Sequence, residues 1–86
     1  MKISYTKQFI KDAKKYPQYK HKIKTVISNI QNADTPSGIR HIKKLNSEGN
    51  DYRLRIGNLR IGFSIVAGTI VLKRFLHRKD IYKYFP

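Results

Sequence analysis

Tyr52-Arg53-Leu54-Arg55-Ile56-Gly57-Asn58-Leu59-Arg60-Ile61 carries the clearest structural pattern in this chain. Tyr52, Leu54 and Ile56 alternate with Arg53 and Arg55, the two-residue period of a strand with one apolar and one polar side. Gly57-Asn58 is a two-residue hairpin signal, so Leu59 to Val66 reads as a second strand returning along the first. Ala67-Gly68 makes another tight turn, and Thr69 to Leu76 a third strand. An antiparallel meander is expected.

A two-residue turn also fixes the register. Ile56 should face Leu59, Arg55 should face Arg60, Leu54 should face Ile61, and Arg53 should face Gly62. Like charges directly across a ladder repel, so a purely structural sequence would be expected to put a carboxylate or Thr at one of the two positions. The Arg55–Arg60 pair reads as an anion site, or else as the charged solvent side of a strand in a strongly basic chain. Carried through Ala67-Gly68, the same register sets Lys73 opposite Gly62 and Phe75 opposite Arg60. One sheet face is then expected to gather Arg53, Arg55, Arg60 and Lys73, with Phe75 as an aromatic beside them and no acid among them. Gly62 in mid-strand reads either as room for a ligand backbone or as a bulge.

Upstream, Lys2-Ile3-Ser4-Tyr5 alternates as a short strand does, and Thr6 is a candidate N-cap for a helix through about Lys15 with Phe9, Ile10 and Ala13 as its apolar stripe. Pro17 suits the first turn of a second helix, whose core-facing stripe is Tyr19, Ile23, Val26, Ile27 and Ile30. Asp34-Thr35-Pro36-Ser37-Gly38 is a loop by composition. Residues 39–51 form a mostly polar connection with Arg40, His41, Lys43 and Lys44, and no element is expected there. His41 and His21 receive no role. Downstream, His77 to Pro86 closes the chain as one helical turn or an extended tail, bringing His77, Arg78 and Tyr82 near the arginine face. The expected architecture is a single α+β domain over residues 1–86: two N-terminal helices packed on one face of a small, mainly antiparallel four-stranded sheet, the other face open to solvent or ligand.

The 86 residues carry 19 Lys+Arg against 5 Asp+Glu, a formal net charge of +14. That excess points to a polyanion or an acidic partner. Ten Lys precede residue 45, whereas five Arg follow it. Lys is a hydrated point charge suited to long-range steering, and Arg offers a planar fork for bidentate phosphate contacts. The absence of Cys removes disulfides, zinc knuckles and thiol nucleophiles together. Neither a metal nor any other cofactor is expected. Without an apolar run near the ~20 residues of a membrane span, a cytoplasmic location is the default expectation.

Paired carboxylates, a Ser-His-Asp set, HExxH and a Gly-rich phosphate loop are all missing from the sequence. RNA, however, supplies its own nucleophile. Attack by a 2′-OH on the adjacent phosphate needs positioning, removal of one proton, neutralisation of the charge building on phosphorus-bound oxygens, and protonation of the leaving 5′-oxygen. Clustered Arg can neutralise that charge without a metal. Arg stays protonated at ordinary pH, so Tyr82, His77 or Lys73 would have to move the protons.

Tyr52-Arg53-Leu54-Arg55-Ile56-Gly57-Asn58-Leu59-Arg60-Ile61, then a hydrophobic strand, then His77-Arg78-Lys79-Asp80-Ile81-Tyr82, resembles the "Y-R-x-R-x-G-x-x-R … H-R-x-x-x-Y" pattern of the RelE/ParE toxin superfamily of type II toxin–antitoxin modules. The resemblance implies a ribosome-dependent, metal-independent mRNA endonuclease that inhibits translation, held inactive by an acidic antitoxin from the same operon. Carried over position by position, it implies catalytic roles for Arg53, Arg55, Arg60, Arg78 and Tyr82. Lys43, Lys44, Lys73, Phe75 and His77 are the expected RNA contacts, and the Lys-rich surface the expected ribosomal RNA contact. The RelE branch typically carries Lys at the strand pair, one of them proposed as general base, where this chain has Arg53 and Arg55. ParE-like members share the fold yet inhibit DNA gyrase, and a non-catalytic RNA-binding module is the third reading.

Overall fold

The computed structural model describes residues 1–46 and 48–86. Strand β1 (Lys2–Tyr5) is followed by helices α1 (Lys7–Lys14) and α2 (Lys20–Asn32). Strands β2 (Ile42–Lys44), β3 (Asp51–Ile56), β4 (Leu59–Val66) and β5 (Thr69–His77) come next, and the one-turn helix α3 (Ile81–Tyr84) closes the chain. The strands form one sheet in the order β1-β5-β4-β3-β2. The α+β class and the meander are as expected, but the sheet has five strands and is mixed, because β1 runs parallel to β5. Nor are the two longer helices N-terminal to the sheet: they form the crossover between β1 and the remaining strands.

The extra strand is β2, in the connection where no element was expected. Ile42 pairs with Leu54, Lys43 with Arg53 and Lys44 with Tyr52. Three residues are too few to show an alternating pattern, and their pairing with β3 is what makes them a strand. Helix α1 starts as the sequence indicates: the Thr6 side chain accepts from Phe9 N–H at 3.0 Å. Pro17 opens a separate 3₁₀ turn, Pro17–Tyr19, so that α2 begins only at Lys20.

One sheet face carries the core. Phe9, Ile23 and Ile30 from the helices pack with Leu54, Ile56, Leu59, Ile61, Phe63, Ile70, Leu72 and Phe75. Phe75 therefore does not lie on the arginine face. A register shift between Gly62 and Phe63 pairs Phe63 with Leu72 but Gly62 with Arg74, leaving Lys73 as the extra residue of a bulge. Every β5 side chain beyond it is one place later than a regular ladder would have it. Phe75 accordingly pairs with Ile61 and is fully buried, its ring 5.7 Å from that of Tyr16 and 6.1 Å from that of Tyr19.

The bulge falls where β1 ends and α1 takes over as the cover of β5. Thr6 N–H continues the ladder to the Leu72 carbonyl at 3.0 Å, and its hydroxyl donates to the Lys73 carbonyl. Asp12, 1% exposed, then stands where the next strand residue would be. Its carboxylate accepts from Phe75 N–H at 3.0 Å, from Arg74 Nε at 2.8 Å and from Gln8 Nε2 at 2.9 Å. Burial alone would raise the Asp12 pKa; the hydrogen bonds from Arg74, Phe75 and Gln8 outweigh it and hold the carboxyl below its ordinary value.

The opposite sheet face is only partly open. Helix α3 lies across it, with Ile81 and Phe85 buried outside the main core cluster.

Candidate functional site

The β3–β4 hairpin delivers the register that its turn dictates: Arg55 pairs with Arg60 and Arg53 with Gly62. Gly57 makes that turn possible with a φ of 57°, a conformation any side chain would strain. Paired residues project from the same face, so Arg53, Arg55 and Arg60 share the side away from the core. Lys43, opposite Arg53 on β2, joins them. A cleft of about 340 Å³ opens there, lined by His41, Ile42, Lys43, Arg53, Arg55, Arg60 and Tyr82.

Each cation is held differently. Arg60 is folded back onto the turn, its Nη1 donating to the Gly57 carbonyl at 2.9 Å and the Leu59 carbonyl at 3.0 Å. Burial, and then the charges of Arg55, Arg53 and Arg78, push its pKa below the usual arginine value, though not within reach of deprotonation at neutral pH. Four guanidinium groups within mutual influence and no carboxylate in the cleft lining make an unneutralised positive field. Arg53 lies over the Tyr82 ring at 4.4 Å from its centroid. Hydrogen bonding to Arg53 and the charge of Arg53, with smaller contributions from Lys43 and Arg60, lower the Tyr82 hydroxyl pKa from its ordinary 10.0. Tyr82 itself is 73% exposed, its ring available for stacking.

His41 is the cleft residue that sequence reasoning missed. Its φ of 63° turns the chain into β2, and its carbonyl accepts from Arg55 N–H at 3.0 Å. The ring Nδ1 lies 3.4 Å from Arg55 Nη2, and since Arg can only donate, Nδ1 is the acceptor in this arrangement. Nothing local marks His41 in the sequence, because the strand that aims it is too short to read.

Other expected site residues fall elsewhere. Arg78 is exposed at the end of β5, its N–H donating to the Asn58 carbonyl at 2.9 Å, close enough to act on Arg60 but outside the cleft lining. His77 pairs with Leu59 and so projects from the core side of the sheet, where its Nδ1 accepts from Lys79 N–H. Lys44 pairs with Tyr52 on that same side. The position opposite Gly62, expected for Lys73, belongs to Arg74, whose guanidinium is committed to Asp12. Phe75 is core. Phe75 was the aromatic expected beside the cations; the phenol that lines the cleft in its stead is Tyr82.

The sequence and the fold have counterparts among known proteins. Residues 3–82 match the family model described as the ParE toxin of type II toxin–antitoxin system parDE. Toxin RelE3 of Methanocaldococcus jannaschii is 42% identical over 88 residues, covering 100% of both chains. The RelB–RelE antitoxin–toxin complex from Methanococcus jannaschii contains a chain that superposes with a TM-score of 0.79 at 41% identity, over 95% of this chain and 98% of that one. YafQ from E. coli strain BL21(DE3) shares the fold at 16% identity, with a TM-score of 0.73 over 93% of this chain and 96% of that one. On the sequence pattern, the fold and these relatives together, the chain belongs to the RelE/ParE superfamily of type II toxin–antitoxin toxins.

Proposed function

We propose that this toxin is a ribosome-dependent mRNA endonuclease that cleaves by 2′-OH attack without a metal. The observation that carries the reading is the cleft itself: Lys43, Arg53, Arg55 and Arg60 converge beside an imidazole and an exposed phenol, with no carboxylate among them. Arg60 and Arg55 hold the non-bridging oxygens of the scissile phosphate, where charge builds as the 2′-oxygen attacks. Arg78 flanks them and attracts the strand. When the phosphate draws Arg55 away from His41, Nδ1 is freed to take the 2′-OH proton. The 2′-oxygen–phosphorus bond forms, the bond from phosphorus to the 5′-oxygen breaks, and the Tyr82 hydroxyl supplies the proton to the departing 5′-oxygen. The products are a 2′,3′-cyclic phosphate and a 5′-hydroxyl, and the electron count closes with no other reactant.

Cell-free translation followed by primer extension tests this. Wild type cuts ribosome-bound message, Arg60→Ala loses about 10²–10³-fold in rate, as expected for one donor to a developing oxyanion, and His41→Ala loses rate while still binding ribosomes. Intact message with wild type, together with blocked gyrase supercoiling, would move the chain to the gyrase-directed reading that the ParE family name carries.

The partner that silences it is an acidic antitoxin. Supporting this, an apolar groove lies between α1 and α2 with Phe9, Ile10, Ala13 and Ile23 in its floor and Lys14, Lys20 and Lys24 at its rim. Ile10 is 44% exposed there. An amphipathic helix with an acidic border fits that pattern. Ile10→Glu is expected to weaken capture of the small acidic protein encoded beside this chain by at least tenfold, about 1.4 kcal/mol, while leaving cleavage by free toxin intact.

A further inference from the structure

Helix α3 is a single turn, too short to hold its own shape, yet it carries the tyrosine of the cleft. Something outside the helix must fix it. Gly62 lies in mid-strand on the arginine face, paired with Arg53 on one side and Arg74 on the other. The recess left by its missing side chain is filled. A Cβ placed on Gly62 would come within 2.6 Å of Phe85 Cγ, 2.7 Å of Cδ2 and 2.9 Å of Cδ1, so the Phe85 ring lies directly against the Gly62 backbone. Phe85 is 5% exposed, and its N–H closes α3 onto the Ile81 carbonyl at 2.9 Å. Either side of this plug, a tyrosine meets a guanidinium: Tyr82 under Arg53 at 4.4 Å and Tyr84 by Arg74 at 5.5 Å.

We propose that Phe85 is a positioning residue of the cleft: seated in the recess at Gly62, it clamps α3 to the sheet and so sets Tyr82 against Arg53. The mid-strand glycine thus serves an intramolecular contact, and neither residue need touch RNA. Ile81, fully buried, anchors the first residue of the turn, and Phe85 anchors the residue after its last. With both anchors seated, the backbone of the turn is fixed and holds Tyr82 within reach of Arg53. Loss of the Phe85 ring releases one end of the turn, and the phenol swings away from the guanidinium that lowers its pKa.

The inference rests on the RNA-cleaving reading for its catalytic consequence, but the clamp can be tested without RNA. In wild type, the Gly62 α-protons should show the displaced NMR shifts of protons lying against an aromatic ring, and Phe85→Leu should abolish that displacement. Phe85→Ala should return the Tyr82 titration, identified by subtraction of Tyr82→Phe, to the ordinary phenol range, and Phe85→Leu should return it part of the way. With folding verified by thermal melting, Phe85→Ala should lower kcat for ribosome-bound message by about a hundredfold, the scale of a small misplacement of a reacting group, with KM little changed. Phe85→Leu should recover most of that loss. Undisplaced Gly62 shifts in wild type overturn the clamp, even if Phe85→Ala proves unable to fold. A Phe85→Ala chain that folds and keeps the lowered Tyr82 titration overturns it as well. If the titration moves but kcat of a cleaving wild type does not, the positioning role falls and the RNA-cleaving reading stands. A wild type that cleaves no message removes that reading instead, and with it the catalytic role of the clamp.

Discussion

At the scale of single residues, the cleft depends on how few cations are neutralised. Arg74 has Asp12, but among the described residues Arg53, Arg55 and Arg60 have only neutral partners: a phenol ring, an imidazole and two carbonyls. Each of those partners can be exchanged for a phosphate oxygen without breaking an ion pair, so the cost of opening the site is small. The Arg53–Tyr82 contact is the one with a direct optical signature. Arg53→Gln removes both the donor and the charge that favour the phenolate, so the Tyr82 pKa should rise toward its ordinary 10.0. Ultraviolet difference titration of Arg53→Gln against wild type, each referenced to its Tyr82→Phe counterpart, measures that rise. The arginines were legible from the sequence because the hairpin turn fixed their register. His41 was not, because its place in the cleft depends on pairing between β2 and β3, a tertiary fact with no local trace.

At the scale of elements, a single bulge separates what could be read from what could not. Up to Gly62 the ladder follows turn chemistry, and Arg55 meets Arg60 as expected; beyond it, one extra residue on β5 moves Phe75 into the core and Arg74 into the place expected for Lys73. A glycine in a strand announces that something irregular happens near it, but not on which strand the extra residue sits. The irregularity is stabilised by α1 through Asp12. Asp12→Asn keeps the shape but leaves Arg74 without a counter-charge in a site only 22% exposed at the arginine. A loss of about 2–3 kcal/mol is expected from chemical denaturation, below the range for fully buried pairs because Arg74 retains some solvent. The pH dependence follows from the same group. With its folded-state pKa depressed, Asp12 contributes stability that is fully present above the ordinary value of 3.8 and is lost as pH falls through the lower folded value. The acid limb of the stability profile should therefore flatten in Asp12→Asn.

At the scale of the whole molecule, the charge is divided between capture and grip. Helix α1 and the turn after it expose Lys7, Lys11 and Lys15 on the side of the sheet opposite the cleft. These lysines contribute to the field that draws the domain to a polyanion and cannot touch the phosphate being cut. Replacing all three with Gln should slow association with ribosomes at low salt, leave single-turnover cleavage of bound message unchanged, and lose its effect as salt screens the field. Stopped-flow association across a salt series reads all of this. The sequence alone indicated a polyanion or acidic partner from the charge total; the fold sets Arg53, Arg55 and Arg60, with Lys43, on one face and the lysines of α1 on the other. The parallel pairing of β1 with β5 carries one more consequence. Residues 2–5 find their ladder partners only at residues 69–72, and Asp12 finds its own at Arg74 and Phe75. During synthesis, the first strand and first helix wait without these partners until residues 69–75 have emerged, and Tyr82 follows later still. The cleft therefore cannot assemble in the order in which its residues are made, and His41 and the arginines wait on Tyr82 for its completion.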